Sequence, residues 1–306
     1  MRKAFNEELL KAARQDKRIH MILADIGYGE IEPFANEFPE RFINCGVAEQ
    51  NMTGVACGVA LAGNIAITYS IANFPTLRCL EQVRNDVCYH NANVKIVIIS
   101  GGMAYGPLGV SHHSTEDLAI MRALPNLKVI APCDIYDARS AVHAMLAYDG
   151  PVYYRCGYKG EKNLHTGPVN FEIGKALKLR EGKDAAIIFT GTIGINALQA
   201  ADELEKQGYS IKLISMHTVK PIDVAAVLDA AETGCVVTLE EHNICGGMGG
   251  AVAEALMDNG AGNIRFKRMA LPDVNVCKIG SEEWLRDQYG LGVADIVSTV
   301  KSLVKK

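Results

Sequence analysis

The segment CGVAEQNMTG, residues 45–54, decides the fold class because it joins a strand pattern to a helix pattern at one carboxylate. The apolar run 42–45 predicts a short strand, and the small-residue run 48–62 predicts a helix that packs closely on other backbones. Glu49 lies between them, at the kind of strand-to-helix junction where α/β sheets form their ligand crevice. An acidic residue in the first turn of a helix also favours the helix dipole, so this position alone leaves a purely structural role open.

At 306 residues the chain is long enough for two domains, each with its own core. Short apolar strand patterns alternate with helical patterns throughout, which is typical of parallel α/β sheets. We predict a first α/β domain at residues 1–160, a polar linker with a short β segment at 161–183, and a second α/β domain at 184–306. The predicted strands are 20–26, 42–45, 66–70, 94–100, 127–131, 151–155, 185–191, 211–216, 235–240 and 264–269. The predicted helices are 3–16, 48–62, 76–91, 115–123, 134–147 and 294–304.

Composition excludes several classes of function. The net charge is −4 and the basic residues are scattered, so we expect neither nucleic-acid binding nor attraction to an anionic membrane. Uninterrupted apolar runs stay short of the ~18–20 residues needed to span a bilayer, and the amino terminus does not resemble a secretory signal. Nine cysteines without a CxxC pair argue against a disulfide framework and a zinc site. We therefore expect a cytoplasmic protein.

Several polar groups follow the predicted strands of the first domain. The glycine-rich segment 101–109 is neither a P-loop nor a dinucleotide fingerprint, and its length suggests a binding loop. His112 and His113 come next, as substrate contacts or as a solvent-exposed pair. Arg155 ends a strand, where a guanidinium can hold phosphate or form an ordinary salt bridge. Residues 246–250, five residues rich in glycine before a helix, suit either anion binding or close packing.

One absence is informative about a diphosphate cofactor. The chain has no Gly-Asp-Gly followed by a downstream Asn, and no obvious carboxylate cage for magnesium. We therefore assign no metal ligand in this chain. A second polypeptide would have to hold the diphosphate end of such a cofactor.

Four segments together resemble the carboxy-terminal half of transketolases, in the split form in which two polypeptides share the enzyme. They are GVAEQN at 46–51, SHH at 111–113, YYR at 153–155 and TLEEHNICGGMG at 238–249. The resemblance covers essentially the whole chain. It implies a pyrimidine-binding domain with a doubly wound parallel sheet, followed by the family's carboxy-terminal α/β domain. The glutamate motif also occurs in deoxyxylulose-phosphate synthases and 2-oxoacid dehydrogenase beta subunits, so it indicates thiamine diphosphate chemistry more strongly than one reaction.

The resemblance implies three residues on the cofactor side of a site. Glu49 matches the glutamate that shares a proton with the aminopyrimidine ring of thiamine diphosphate. Phe74 matches the aromatic residue stacked on that ring, although a core phenylalanine has the same pattern. Asp25 matches an aspartate at the end of the first strand, on the wall of the active site.

The resemblance also implies three residues on the substrate side. His112 matches a histidine that contacts sugar hydroxyls near the reacting carbon, while Arg155 and Arg2 match arginines that grip the sugar phosphate. For Arg2 a frayed terminus is the competing interpretation. The chain departs from the family near Leu108, where an aspartate is usual, and near Gly101, where a histidine is usual. Both family residues contact substrate hydroxyls, so a specialised ketose remains open.

The function implied by the resemblance is that of a thiamine-diphosphate-dependent transketolase subunit. It would transfer a two-carbon ketol unit from a ketose phosphate to an aldose phosphate. An amino-terminal partner subunit would hold magnesium and the diphosphate, in an α2β2 assembly. Two alternatives remain: a 2-oxoacid dehydrogenase beta subunit that passes an acyl group to a lipoyl domain, and a non-catalytic assembly subunit.

Overall fold

Two sheets, of seven and five strands, organise the computed structural model, which describes residues 1–158 and 161–304. The strands are β1 (Ile19–Leu23), β2 (Phe42–Asn44), β3 (Ile65–Ile71), β4 (Val94–Ile99), β5 (Lys128–Ile130), β6 (Val152–Cys156), β7 (Leu177–Arg180), β8 (Ala185–Phe189), β9 (Ile211–Ser215), β10 (Thr218–Lys220), β11 (Cys235–Asn243) and β12 (Arg265–Leu271). The α-helices are α1 (Arg2–Gln15), α2 (Glu32–Glu37), α3 (Glu49–Leu61), α4 (Leu80–Gln82), α5 (Asp117–Ala123), α6 (Ile135–Ala147), α7 (Gly194–Lys206), α8 (Val224–Ala231), α9 (Met248–Asp258), α10 (Glu282–Gln288) and α11 (Val293–Leu303).

The first sheet positions the candidate site. Its strand order is β10-β5-β6-β4-β3-β1-β2, and β1 to β6 all run parallel. Parallel strands end at the same edge of a sheet, so the loops after β1, β2, β3, β4 and β6 come together there. The predicted α/β class with mainly parallel sheets is confirmed.

Apolar side chains cover both faces of the first sheet. On one face Met21 and Leu23 of β1 join a buried cluster with residues of α1 and α6. On the other face Ile22 packs in a second cluster with residues of α3 and α5. Every residue of β4 is buried, including Lys95, and this explains why residues 96–99 form a continuous apolar run rather than an alternating pattern.

The second sheet has the order β12-β11-β8-β9-β7 and packs against the first unit. β8, β9, β11 and β12 run parallel, whereas β7 is an antiparallel edge strand. The predicted linker 161–183 therefore ends in a strand of this sheet. β10 leaves the second unit and pairs antiparallel with β5. One apolar cluster includes Ile96 of the first sheet and Ile188 and Val236 of the second, so the two units share core.

The predicted helix 76–91 differs from the structure. This stretch is helical but broken, with π-helical turns at Phe74–Arg78 and Val83–Cys88 on either side of α4. Such widened turns are frequent at functional sites.

Within the described ranges, helices that combine enough length and apolar character to cross a membrane are absent.

Candidate active site

Four of the predicted site residues lie at the carboxyl edge of the first sheet. Asp25 follows β1, Glu49 begins α3 shortly after β2, Phe74 follows β3, and His112 lies in the long loop after β4. The parallel direction of these strands brings four loops from distant parts of the sequence to one edge. This edge is the candidate site.

Glu49 is a buried carboxylate close to the protein surface. It is 2% exposed, and its Oε2 accepts a hydrogen bond from Nη1 of Arg78 at 2.6 Å. Arg78 reaches in from solvent, and its guanidinium carbon lies 4.6 Å from the ring centroid of Phe74. Val47 and Leu77, close in sequence to Glu49 and Arg78, are large apolar side chains left exposed. The carboxylate is thus shielded from water while a solvent-facing apolar surface lies beside it.

A row of aromatic rings leads away from Glu49 along the edge. The ring centroid of Phe74 lies 5.8 Å from that of His112, and the ring centroid of Tyr105 lies 5.7 Å from that of His112. Tyr105 in turn contacts Tyr158 at 4.7 Å, and the guanidinium carbon of Arg2 is 5.5 Å from the Tyr158 ring. The predicted cofactor and substrate residues are therefore connected, with Arg2 at the far end of the row.

Arg2 belongs to a regular helix in this structure. It is the first residue of α1, and its Nη2 donates to Glu30 at 3.3 Å. Phe5, one turn later, is fully buried and anchors the start of α1 in the core. A frayed terminus, the competing interpretation of Arg2, does not match this geometry.

Asp25 is fixed to the segment that carries Glu49. Its Oδ1 accepts hydrogen bonds from the Tyr28 hydroxyl at 2.5 Å and from Nδ2 of Asn44 at 3.1 Å. The bond from Tyr28 holds the pKa of Asp25 below its ordinary value. Oδ1 of Asn44 accepts from the backbone amides of Asp25 and Gly46, both at 3.0 Å. These bonds tie the first strand end to the glutamate segment.

The two adjacent histidines differ in environment. His112 is half-buried, with the Ser111 hydroxyl 3.0 Å from its Nδ1. His113 is 2% exposed, and its carbonyl accepts from Nδ2 of Asn73. Burial lowers the pKa of His113, which favours the neutral ring. The alternative of a solvent-exposed pair is therefore wrong for His113.

Arg155 is buried, and protein groups accept hydrogen bonds from two of its three guanidinium nitrogens, Nε and Nη2. Its Nε donates to Asp117 at 2.8 Å, and its Nη2 donates to the carbonyls of Ser114 at 3.1 Å and Glu241 at 3.0 Å. Its side chain is 6% exposed and that of Asp117 is 1% exposed. This geometry does not favour the expected grip on a sugar phosphate. It makes Arg155 a structural link between the loop after β4 and the second unit.

The backbone amides at the glycine-rich start of α9 already bind a carboxylate of the same chain. The carboxylate of Glu240 accepts from the amides of Met248 at 2.7 Å and Gly249 at 2.8 Å. Burial raises the pKa of Glu240. A Cβ atom at Gly247 would lie 2.2 Å from Oε2 of Glu240. Close packing therefore explains segment 246–250, and its helix end is not open to an external anion.

The residues after Glu240 bind the first unit and were missed from the sequence. Nε2 of His242 accepts from the backbone amide of Ala119 at 3.2 Å, near the start of α5. The amide of Asn243 donates to the carbonyl of Thr115 at 2.7 Å. The segment that carries the family resemblance in the second unit thus holds the two units together.

The site thus combines a buried glutamate at the carboxyl edge of a parallel sheet with a second α/β unit. Comparison of the chain with models of known protein families identifies the class of protein that has this arrangement. The model "Transketolase, pyrimidine binding domain" matches residues 1–157, and the model "Transketolase, C-terminal domain" matches residues 174–296. The chain belongs to the transketolase family. Within it, the chain is a carboxy-terminal subunit of the two-chain form, because relatives that it covers almost completely are named as separate subunits or as a carboxy-terminal section.

Two of these relatives have names that specify unusual sugars. A subunit of the apulose-4-phosphate transketolase of Phocaeicola vulgatus is 38% identical over 308 residues, covering 100% of this chain and 97% of that protein. A subunit of the 6-deoxy-6-sulfo-D-fructose transketolase of a Clostridium species is 37% identical over 308 residues, covering 100% of this chain and 95% of that protein.

Solved structures give the same result. A chain described as a split gene transketolase, inactive β4 tetramer, superposes with a TM-score of 0.89 at 36% identity, covering 99% of this chain and 97% of that chain. The transketolase of Leishmania mexicana superposes with a TM-score of 0.79 at 20% identity, covering 99% of this chain and 45% of that chain. At that identity the second match shows the fold alone.

Proposed function

We propose that this chain is the carboxy-terminal subunit of a thiamine-diphosphate-dependent transketolase that acts on ketose and aldose phosphates. It would be active only with an amino-terminal subunit. The observation that carries the proposal is the buried carboxylate of Glu49, linked through Arg78 to the Phe74 ring, at the carboxyl edge of a family pyrimidine-binding domain.

The residues at the edge suit a pyrimidine ring. Glu49 offers a carboxylate shielded from bulk water, where a hydrogen bond to a ring nitrogen is stronger than in solvent. Phe74 offers an aromatic surface for stacking, and Arg78, which lies over it, has a side chain 48% exposed and can turn outward. When bound, thiamine diphosphate supplies the nucleophilic carbon that accepts and releases the ketol unit.

The chain's own residues would orient the cofactor and the sugar. Glu49 would hold a proton at the ring nitrogen and Phe74 would fix the ring plane. His112, half-buried at the end of the aromatic pair with Phe74, would hydrogen-bond a sugar hydroxyl. Arg2, at the far end of the row, is the better placed of the two predicted arginines for a terminal phosphate, because Arg155 is buried.

A second kind of subunit would supply the diphosphate site. In the described ranges, the one group of three potential metal-ligating side chains is Cys133, Asp134 and His165, which includes no predicted site residue. Exposed Val47 and Leu77 beside Glu49 provide an apolar surface for a partner chain. The related split-gene structure is described as an inactive tetramer of one chain type, which also supports this division of labour.

The sugar would be a ketose with an anionic group at its far end. The names of two relatives specify such molecules, one phosphorylated and one sulfonated. Leu108, exposed in the loop after β4, and Gly101 replace family residues that contact hydroxyls, which supports a specialised ketose over a common pentose phosphate. We retain the ketose phosphate as the proposed donor.

Reconstitution tests the proposal. The chain is co-expressed with a transketolase amino-terminal subunit encoded in the same genome, and the complex is assayed with magnesium, thiamine diphosphate and a panel of ketose phosphates and sulfonates. We expect ketol transfer by the complex and none by this chain alone. Turnover by the isolated chain would contradict the split site, and decarboxylation of pyruvate without ketol transfer would favour the 2-oxoacid dehydrogenase alternative.

A further inference from the structure

The loop that carries His112 is closed at its base by a two-residue bridge. The amide of Gly102 donates to the carbonyl of Ser114 at 2.9 Å, and the amide of Ser114 donates to the carbonyl of Gly102 at 2.8 Å. His112 and His113 lie just inside this closure. A contact that holds this bridge in place therefore also sets the orientation of both histidine rings relative to the sheet.

Glu241, near the end of β11 in the second unit, reaches this base. It is 3% exposed; its Oε1 accepts from the amide of Met103 at 2.5 Å, and its Oε2 accepts from Nε of Arg286 at 2.7 Å. A Cβ atom at Gly102 would lie 2.5 Å from Oε1 of Glu241, and Gly102 has a φ of +67°. Glycine is therefore required there both for the backbone conformation and for the approach of the carboxylate.

Two more contacts bind the same loop to the second unit. The side chain of Met103 is fully buried in an apolar cluster with Phe189 and Leu239. The backbone of Gly106 lies so close to the segment just before α10 that a Cβ there would be 2.2 Å from the carbonyl oxygen of Gly280. The second unit thus holds the loop from one side along residues 102–106, and Glu241 is the charged member of that contact.

We propose that Glu241, held by Arg286, is a positioning residue for ketol transfer. The carboxylate uses one oxygen for the loop amide of Met103 and the other for the guanidinium, so the guanidinium orients the acceptor. The loop base is then fixed, and His112 stays beside Phe74 at the crevice. The inference rests on the proposed function, because it takes His112 to contact the sugar. It gives the second unit a role in the active site without a catalytic residue of its own.

Two double variants isolate the acceptor at position 241. Glu241→Gln with Arg286→Leu keeps an oxygen for the Met103 amide, whereas Glu241→Leu with Arg286→Leu does not. Both remove the Glu241–Arg286 pair together, so neither leaves an unpaired charge at position 241, which is the usual reason for such variants to unfold. Because both lack Arg286, the loss of its bonds to Thr192 and Glu282 is common to them. They differ in one hydrogen bond to the loop.

Amide hydrogen exchange of residues 102–114 in the isolated chain is the first readout, and kcat and KM of the reconstituted enzyme are the second. We expect exchange in this loop to be about tenfold faster in the Leu variant than in the Gln variant, because the Met103 amide has lost its acceptor. We expect kcat to be about 10- to 100-fold lower in the Leu variant, with a smaller change in KM, since a misplaced catalytic contact costs mainly turnover.

The control is Glu254→Gln, which breaks an ion pair with Arg122 between the same two units but does not touch the loop. It should leave both readouts unchanged. Equal exchange and equal kcat in the Leu and Gln variants would overturn the inference. If wild-type enzyme transferred no ketol unit, the proposed function would be lost, whereas the exchange comparison would still decide whether Glu241 holds the loop.

Discussion

The carboxyl edge of the first sheet and the seam between the two units use charged groups in opposite ways. At the edge, Glu49 pairs with Arg78, a cation that is half exposed and free to turn away. At the seam, Arg155 is surrounded by Asp117 and two carbonyls and has almost no access to solvent. Both regions contain buried carboxylates, yet the partner of Glu49 can leave and the partner of Asp117 cannot.

This difference distinguishes residues that can contact a ligand from residues that stabilise the fold. A buried charge surrounded by fixed partners is costly to disturb. A buried carboxylate with a mobile partner can exchange it for a ligand at small cost in stability. Changes at the seam should therefore lower stability first, and changes at the edge should lower activity while the fold persists.

The largest expected effect on stability belongs to Arg155→Met. Removing the guanidinium leaves Asp117 buried without its cation and two carbonyls without a donor, so unfolding free energy should fall by about 3–5 kcal/mol. Thermal melting of the isolated chain measures this. Lys128→Met, which removes a cation from the start of β5, is the control and should change stability little. A normal melting temperature with a raised KM for sugar phosphates would instead support a contact between Arg155 and the sugar phosphate.

Asp137→Asn should stabilise the chain in a pH-dependent way. This buried carboxyl in α6 accepts from the amide of Cys133 at 2.9 Å, and burial raises its pKa from 3.8 to about 6. The folded state therefore holds its proton more tightly than the unfolded state, so the contribution to stability is present below about pH 4 and lost as the pH rises through about 6. His165 and Asp134 also face this group.

The asparagine lacks this penalty and keeps an acceptor for Cys133. Denaturant unfolding should show the variant more stable than wild type by about 2–3 kcal/mol at a pH of about 7.5, with no difference near pH ~4. A difference between the two proteins that did not change with pH would mean that folding does not raise the pKa of Asp137.

His112→Asn should lower activity and spare the fold, the reverse of Arg155→Met. The ring is half-buried and packs edge-on against Phe74 and Tyr105, so little core is lost. Loss of a hydrogen bond to the sugar should lower kcat/KM of the reconstituted enzyme about 10- to 100-fold. His143→Asn, on the exposed side of α6, provides a matched control. An unchanged kcat/KM would remove His112 from the site.

The sequence predicted the strands of the sheets well, because residues buried on both faces give continuous apolar runs such as 96–99 in β4. The two strands that escaped clear prediction are β7, a partly exposed edge strand, and β10, three residues that leave the second unit to join the first sheet. Short strands that pair with a distant part of the chain carry no local pattern.

The candidate site was predicted in part for a similar reason. Strand ends are visible in the sequence, so Glu49 and His112 were expected at one edge, and the family resemblance added Phe74. The three residues are found in a connected row. Arg155 was expected to hold phosphate from its place at a strand end and from the resemblance, and its pairing with Asp117, 38 residues away, was not foreseen. Glu241 was missed because its contact with Met103 spans 138 residues. Long-range pairing of buried charges is decided by topology, which local sequence does not show.

The most direct test of the account is ketol transfer by the reconstituted enzyme carrying Glu49→Gln, with melting of the chain measured in parallel. We expect a loss of about 10²- to 10⁴-fold in kcat with a nearly unchanged melting temperature, because Arg78 can turn to solvent when its partner is neutral. Glu37→Gln, an exposed member of a pair with Arg14, should match wild type in both measurements. Activity of Glu49→Gln within a few-fold of wild type would contradict the assignment of this carboxylate to the active site.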